Sequence, residues 1–393
     1  MFSFRRVGVL ADDFSGAGDV ALAFRSAGLA SEIGAPVNGR FLVLPLPRTR
    51  VWIIDTESRG LAPRAADRAV RNALATLAHW KPDFIFKKID STLRGPVGAE
   101  LAAFVHILQP DGPVAFVPAF PKMKRTTVAG RHFVQGIPLH RTAFGKDPRA
   151  PVRTNVISKI LAQTYKKGFL QEKVSNAPNS VLARSWSLGF QQQNVPTRER
   201  VWVPDVETDR QMAGVARRVL RTGRVAVGSA GFAAALAREM VGGHPPGRDP
   251  KPVFPMTRAK RGVGVVVGSA HPVSREQLDR LKNFFPAKGV FLFEGPFQRG
   301  TPGQVLRRLV RKARKMETVQ GIRRWVVTGG ETAFAMARVW KSFRWQVVGA
   351  IEPGVPLCRS LGRPARWLVM KPGGFGSTDV LLESVRQLLG KGG

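Results

Sequence analysis

The chain has 393 residues, with 62 Lys and Arg against 27 Asp and Glu, a formal charge of +35, and 44% apolar and 23% charged residues. That composition supports packed cores, excludes a disordered basic tail, and at roughly 150 residues per domain predicts about two or three domains. Apolar runs such as 263–267 and 114–120 fall far short of the roughly 18 residues that span a bilayer, which excludes a transmembrane protein.

Asp12 and Asp13 end the first apolar run before a signal-type h-region of roughly 7 to 15 residues can form, so nothing argues for secretion. Cys358 is the sole cysteine, which excludes an intrachain disulfide, and no Cys/His cluster has zinc spacing. A reducing cytoplasm and no structural metal are expected. The basic residues spread along the whole chain, with clusters at 258–261 and 307–315 and no basic low-complexity arm. Charge of this kind speaks to association and solubility rather than to fold, and dispersed over solvated faces it disfavours nucleic acid as the principal ligand.

In chain order, 7–10 reads as a buried strand, followed by a helix whose inner face is Ala17, Val20, Ala21 and Phe24 at i, i+3, i+4 and i+7. Strand 51–54 and helix 65–77 come next, then strands at 84–86, 114–117, 201–203 and 225–227. The stretch 168–193 has no clear period and receives no element. Gly and Pro break the chain repeatedly from Gly242 to Pro252, which marks a linker over 242–261 between domains 1–241 and 262–393. Beyond it come strand 263–267, a helix opened by a Ser274–Gln277 capping box, and strands 324–328 and 367–371. This alternation predicts α/β architecture: two domains with mostly parallel sheets, and ligands at the carboxyl ends of strands and in the interdomain cleft.

The segments after the strands carry the chemistry. Ala11-Asp12-Asp13-Phe14-Ser15-Gly16-Ala17 places two adjacent carboxylates at a strand end, where they need a substrate hydroxyl, a magnesium-bound phosphate or a basic side chain, unless one caps the helix and the other faces solvent. Lys87-Lys88-Ile89-Asp90-Ser91-Thr92-Leu93-Arg94-Gly95 brings cations, a carboxylate and hydroxyls to another strand end, a mixture suited to a small anionic polyol. Arg59, in Asp55-Thr56-Glu57-Ser58-Arg59-Gly60, can offer a carboxylate two parallel hydrogen bonds. Three glycine turns follow in the second half: Gly268-Ser269-Ala270, Gly329-Gly330-Glu331-Thr332 and Pro372-Gly373-Gly374-Phe375-Gly376. Together they suit a nucleotide pocket, because glycine lets backbone amides approach phosphate. Gly228-Ser229-Ala230-Gly231 reads instead as helix packing, and His271 as a structural histidine.

With Pro118-Ala119-Phe120-Pro121 and Glu352-Pro353-Gly354-Val355-Pro356, these motifs stand in the order of the four-carbon acid sugar kinase family, which the chain resembles over nearly its whole length. The block 87–95 is the most specific part. The resemblance implies an N-terminal domain binding the acid sugar, a C-terminal domain binding ATP with Mg2+, and phosphate transfer to the terminal C4 hydroxyl of threonate, erythronate or 3-oxo-tetronate. It places Asp12, Arg59, Lys88, Asp90, Ser91, Thr92 and Arg94 at the acid sugar, and Ser269, Gly329, Gly330, Glu331, Thr332 and Gly376 at ATP. Asp12 or Asp90 takes the proton of the attacking hydroxyl, and the sequence leaves both open. Two alternatives stand beside this reading: a non-catalytic basic polyanion-binding protein on the same fold, and a kinase of a different acid sugar. A homo-oligomer is compatible with each. The chain departs from the family at Lys124-Arg125, where a Gly-Arg pair is usual, and at Val267-Gly268-Ser269, where Ser-Gly-Ser is common.

Overall fold

The computed structural model describes residues 4–36, 44–110, 112–147, 150–163, 201–223, 225–243, 262–269, 271–284, 289–295 and 301–390. The unassigned stretch 168–193, the basic cluster 258–261 and nearly all of the 242–261 linker lie outside them. The chain forms two compact units, Met1–Asp12 with Thr56–His244, and Asp13–Asp55 with Pro245–Gly393. Element labels run in chain order through both.

In the first unit, parallel strands lie in the order β1 (Val7–Ala11), β4 (Phe84–Lys88), β10 (Val225–Gly228), β5 (Val114–Val117) and β9 (Val201–Trp202). Continuous apolar character, as in Val7-Gly8-Val9-Leu10, is what a strand covered on both faces requires. The register pairs Ala11 with Lys88, so the chemistry-bearing segments after β1 and β4 leave the sheet at one level. Helices α2 (Pro63–Trp80) and α3 (Val97–Leu108) pack together, as do α5 (Asp209–Thr222) and α6 (Ala230–Met240). In α2 the buried stripe is Ala66, Val70, Ala73, Leu74 and Leu77, a helical period set on one face. Ser229 caps α6, and a Cβ at Gly231 would strike the Phe120 ring, so that glycine motif serves packing as expected. A small antiparallel sheet of β6 (Arg125–Val128), β7 (Arg131–Val134) and β8 (Ile137–Pro138) is an excursion that the strand–helix rhythm does not announce.

The second unit orders its strands β12 (Val290–Glu294), β11 (Val263–Val267), β13 (Arg324–Thr328), β16 (Trp367–Lys371), β15 (Val355–Ser360), β14 (Arg344–Glu352), β2 (Ser31–Gly34) and β3 (Val51–Asp55). The first four run parallel, whereas β15 and β14 are antiparallel insertions. Residues 13–55, which the sequence groups with the first domain, pack here. Helix α1 (Phe14–Ser26) lies on β14 and β2 and against α9 (Gly330–Val339), with the Phe14 ring 6.1 Å from Phe334 and 6.4 Å from Trp345. A Cβ on Gly18 of α1 would meet Met370 at 2.7 Å and Pro356 at 3.0 Å. The apolar face of α1 therefore finds its cover far along the chain.

The expected capping box is not present. Helix α7 (Pro272–Phe284) starts a turn earlier, because Pro272 suits the first helical position and the His271 carbonyl accepts from the Ser274 amide at 2.9 Å. The Ser274 hydroxyl instead donates to the Gly373 carbonyl at 2.7 Å, and Gln277 Nε2 donates to the Ser377 carbonyl at 2.8 Å. Among the described residues no helix is long and apolar enough to cross a membrane.

Candidate active site

The acid pair after β1 divides its labour. Asp13 caps α1, its Oδ1 accepting from the Gly16 amide at 2.8 Å and its Oδ2 from Ser15 Oγ at 2.6 Å. Asp12, only 1% exposed, faces the opposite task. Arg59 grips it with two parallel bonds, Nε to Oδ2 at 2.8 Å and Nη2 to Oδ1 at 2.9 Å. Lys88 Nζ stands 3.8 Å from Oδ1, and the Asp90 amide donates to Oδ2 at 3.1 Å. Burial by itself would raise the Asp12 pKa, and the cations of Arg59, Lys88 and Lys87 outweigh it, so the carboxyl stays below its ordinary value. One carboxylate thus ties the segments after β1, β3 and β4 together.

The 87–95 block folds back on itself. Asp90 Oδ2 accepts from Thr92 Oγ1 at 2.5 Å and from Arg94 Nε at 2.6 Å, and among the described residues no hydrogen bond reaches its other oxygen. Burial works against its charge, but Arg94, then Arg59, hold its pKa well below the usual carboxylate value. A Cβ at Gly95 would lie 2.7 Å from the Arg59 carbonyl, so glycine is what lets the two loops meet. The structure thus brings together Asp12, Arg59, Lys88, Asp90, Ser91, Thr92 and Arg94.

Lys87 points elsewhere. Fully buried, it pairs with Glu100 of α3, Nζ to Oε2 at 3.2 Å, while Ser58 donates to Glu100 Oε1. Burial pushes the Glu100 pKa up despite Lys87. This pair lies behind Asp12, and α3 carries no motif that would have announced it.

The β6–β8 excursion adds residues that the motifs alone do not mark. Arg125 Nη1 donates to Ser91 Oγ, and the guanidiniums of Arg94 and Arg125 lie 5.3 and 5.8 Å from the Phe144 ring centre. Asp147 accepts from Arg94 at 3.3 Å. The one signal in the sequence is the Lys124-Arg125 departure: Lys124 has φ +52°, the left-handed conformation that glycine adopts without strain. The lysine keeps the turn, and Arg125 reaches Ser91.

His132 Nε2 lies 2.8 Å from the Ser91 carbonyl and Nδ1 3.1 Å from Thr127 Oγ1. Burial depresses its pKa from 6.5 to about 4. The unfolded chain therefore binds the proton more readily, and stability falls as pH drops from 6.5 toward 4, by about 3 kcal/mol in all. Urea unfolding of a His132→Gln variant is expected to lack this one-proton slope.

In the second unit the three glycine turns sit at the carboxyl ends of the adjacent parallel strands β11, β13 and β16. They interlock. A Cβ at Gly268 would overlap the buried Thr332, and one at Gly373 would lie 2.5 Å from Ser269 Oγ. Gly329 has φ +89°, and its amide donates to the Lys371 carbonyl at 2.9 Å. Gly330 lets the start of α1 approach: a Cβ there would lie 2.9 Å from Asp13 Oδ2. Glu331 is exposed in the first turn of α9, Thr332 is buried, and Gly376 offers its carbonyl to Gln277 at 3.2 Å. Ser269 and 329–332 are brought together, with Gly376 on the third turn. His271 is exposed and acts structurally as expected, its Nδ1 accepting from the Val273 amide at 3.3 Å at the start of α7. Among the described residues no group of three or more His, Cys, Asp or Glu is arranged to hold a metal ion.

Two family models match the chain, a sugar-binding N-terminal domain over 7–236 and a nucleotide-binding C-terminal domain over 297–381. A D-threonate kinase of Bordetella bronchiseptica is 28% identical over 423 residues, covering 97% of each chain. A D-erythronate kinase of Heliobacterium modesticaldum is 31% identical over 70% of this chain and 60% of its own, and a 3-oxo-tetronate kinase of Methylobacterium radiotolerans is 25% identical over 95% and 97%. A crystal structure of a Haemophilus influenzae protein superposes with a TM-score of 0.70 at 18% identity, covering 97% of this chain and all of that one, a likeness of fold.

Proposed function

Because the chain belongs to the four-carbon acid sugar kinase family and is an enzyme of that class, we propose that it transfers the γ-phosphoryl group of Mg-ATP to the C4 hydroxyl of a tetronate, in the cytoplasm where ATP is made available. The observation that carries this reading is the set of partners around Asp12: a buried carboxylate after β1 that gathers the Arg59 guanidinium, the Lys88 ammonium and the Asp90 amide from the segments at the ends of β3 and β4. A solvated turn has no use for that arrangement. It supplies positive charge for a substrate carboxylate and donors and acceptors for its hydroxyls.

Phosphoryl transfer asks for positioning and charge neutralisation rather than covalent chemistry by the protein. Both Asp12 oxygens are engaged, by Arg59 and by the Asp90 amide, so Asp12 serves as the organiser that aims Arg59 and Lys88 at the substrate. Asp90 keeps one oxygen for the attacking hydroxyl, which it orients and whose proton it accepts. Its depressed pKa keeps it ionised at neutral pH. Ser91, Thr92 and Arg94 frame the polyol, and Arg125 steadies Ser91. In the second unit, Ser269, Gly329, Gly330, Glu331, Thr332 and Gly376 line the ATP site; the support is the interlocking of the turns and the nucleotide-binding family match.

The test is ADP release with Mg-ATP across D- and L-threonate, D- and L-erythronate and the 3-oxo-tetronates. One acid is expected to turn over, and Arg59→Ala to cut its kcat/KM by about 100-fold, the worth of a lost charged hydrogen-bonding partner. Turnover that survives Arg59→Ala unchanged would mean that the acid sugar binds away from the Asp12–Arg59 cluster.

A further inference from the structure

Lys371, the last residue of β16, is 1% exposed. Its ammonium donates to the Gly373 carbonyl at 2.8 Å and to Ser274 Oγ at 3.1 Å, and the Ser274 hydroxyl itself donates to that same carbonyl. Both acceptors are neutral. No carboxylate among the described residues forms an ion pair with Lys371, and the third N–H has no partner among them. A buried ammonium held in this way is costly unless an anion completes its surroundings.

The groups around it belong to the glycine turns. The Lys371 carbonyl accepts from the Gly329 amide, Ser274 lies in the first turn of α7 after Ser269, and Gly373 packs on Ser269. The charge is felt at the exposed side of these turns, since the His271 pKa is lowered by burial and then by Lys371. Burial brings the Lys371 pKa down to about 8, the direction of a cation with no anion beside it.

We propose that Lys371 is a phosphate-binding cation of the nucleotide site, its ammonium fixed by Ser274 and Gly373 so that the remaining N–H and the positive charge meet the phosphate chain of a bound nucleoside triphosphate. Lysine serves as a point charge here, which suits a phosphate chain whose oxygens are several and rotatable. The inference rests on the ATP reading of the second unit and adds a residue to it.

Isothermal titration of the full chain with ATP and with adenosine, both with Mg2+, tests it. Lys371→Gln keeps the hydrogen bonding and removes the charge. It is expected to weaken ATP by about 10- to 100-fold while leaving adenosine within about twofold. Lys371→Met, nearly isosteric, is expected to do the same without lowering the melting temperature, because it removes a buried charge; it also stands in should Lys371→Gln not fold. Equal losses for ATP and adenosine would make Lys371 a prop for the turns and overturn the proposal, as would undiminished ATP affinity in a folded variant. Wild-type protein that binds neither ligand would overturn the nucleotide reading itself, a failure distinct from both.

Discussion

Asp90→Asn is expected to lower kcat by about 10² to 10⁴-fold with little change in the KM for ATP, the range lost when a positioned proton acceptor is removed. The amide is isosteric and can still accept from Thr92 and Arg94 through its oxygen, so the loop should keep its form. Asp12→Asn is expected to act differently. The bidentate Arg59 contact and the Asp90 amide both lean on the charge of Asp12, so its loss loosens three loops and raises KM for the acid sugar along with lowering kcat. Steady-state kinetics with saturating ATP separates the two. An Asp90→Asn enzyme with near-wild-type kcat would pass the role of proton acceptor to Asp12.

Lys87→Met is expected to destabilise the protein by about 3–5 kcal/mol, because it strands Glu100 in the interior. The pH dependence gives the signature. The folded-state pKa of Glu100 is already raised, and without Lys87 it rises further. A carboxyl with a raised pKa favours the fold while protonated and loses that contribution as pH increases through its folded value. Urea unfolding should therefore show a larger deficit at pH 8 than at pH 5. Adding Glu100→Gln, which removes the stranded charge, is expected to restore most of the stability. A deficit independent of pH would mean that the loss is one of packing, not of charge.

Residues that look alike in the sequence part company in the fold. Lys87 and Lys88 are neighbours in one motif, yet strand alternation sends one into the unit's interior and the other toward Asp12. Asp12 and Asp13 likewise differ: one is the hub that holds Arg59, Lys88 and the Asp90 amide, and the other caps α1. Periodicity shows that side chains at i and i+1 diverge but not which of the two finds a partner, because the partners Arg59 and Glu100 come from other elements.

The α/β class, the main parallel strands and the seven residues from Asp12 to Arg94 that the structure brings together are all legible in the amino-acid order. Those features are local: apolar runs of strand length, helical spacing, and polar segments directly after strands, which a parallel sheet must gather at one end. Other features have no local signature. Residues 13–55 join the second unit because α1 is covered by β14 and α9, hundreds of residues later. The antiparallel β14 and β15, the β6–β8 excursion with Arg125 and Phe144, and the burial of Lys371 and Glu100 all depend on long-range packing. Ser274 and Gln277 carry the letters of a capping box, but the amides of α7 begin earlier and the turn after β16 takes their side chains. A polar side chain bonds to whatever the fold places beside it, and that placement is set by the burial of apolar faces far away in sequence.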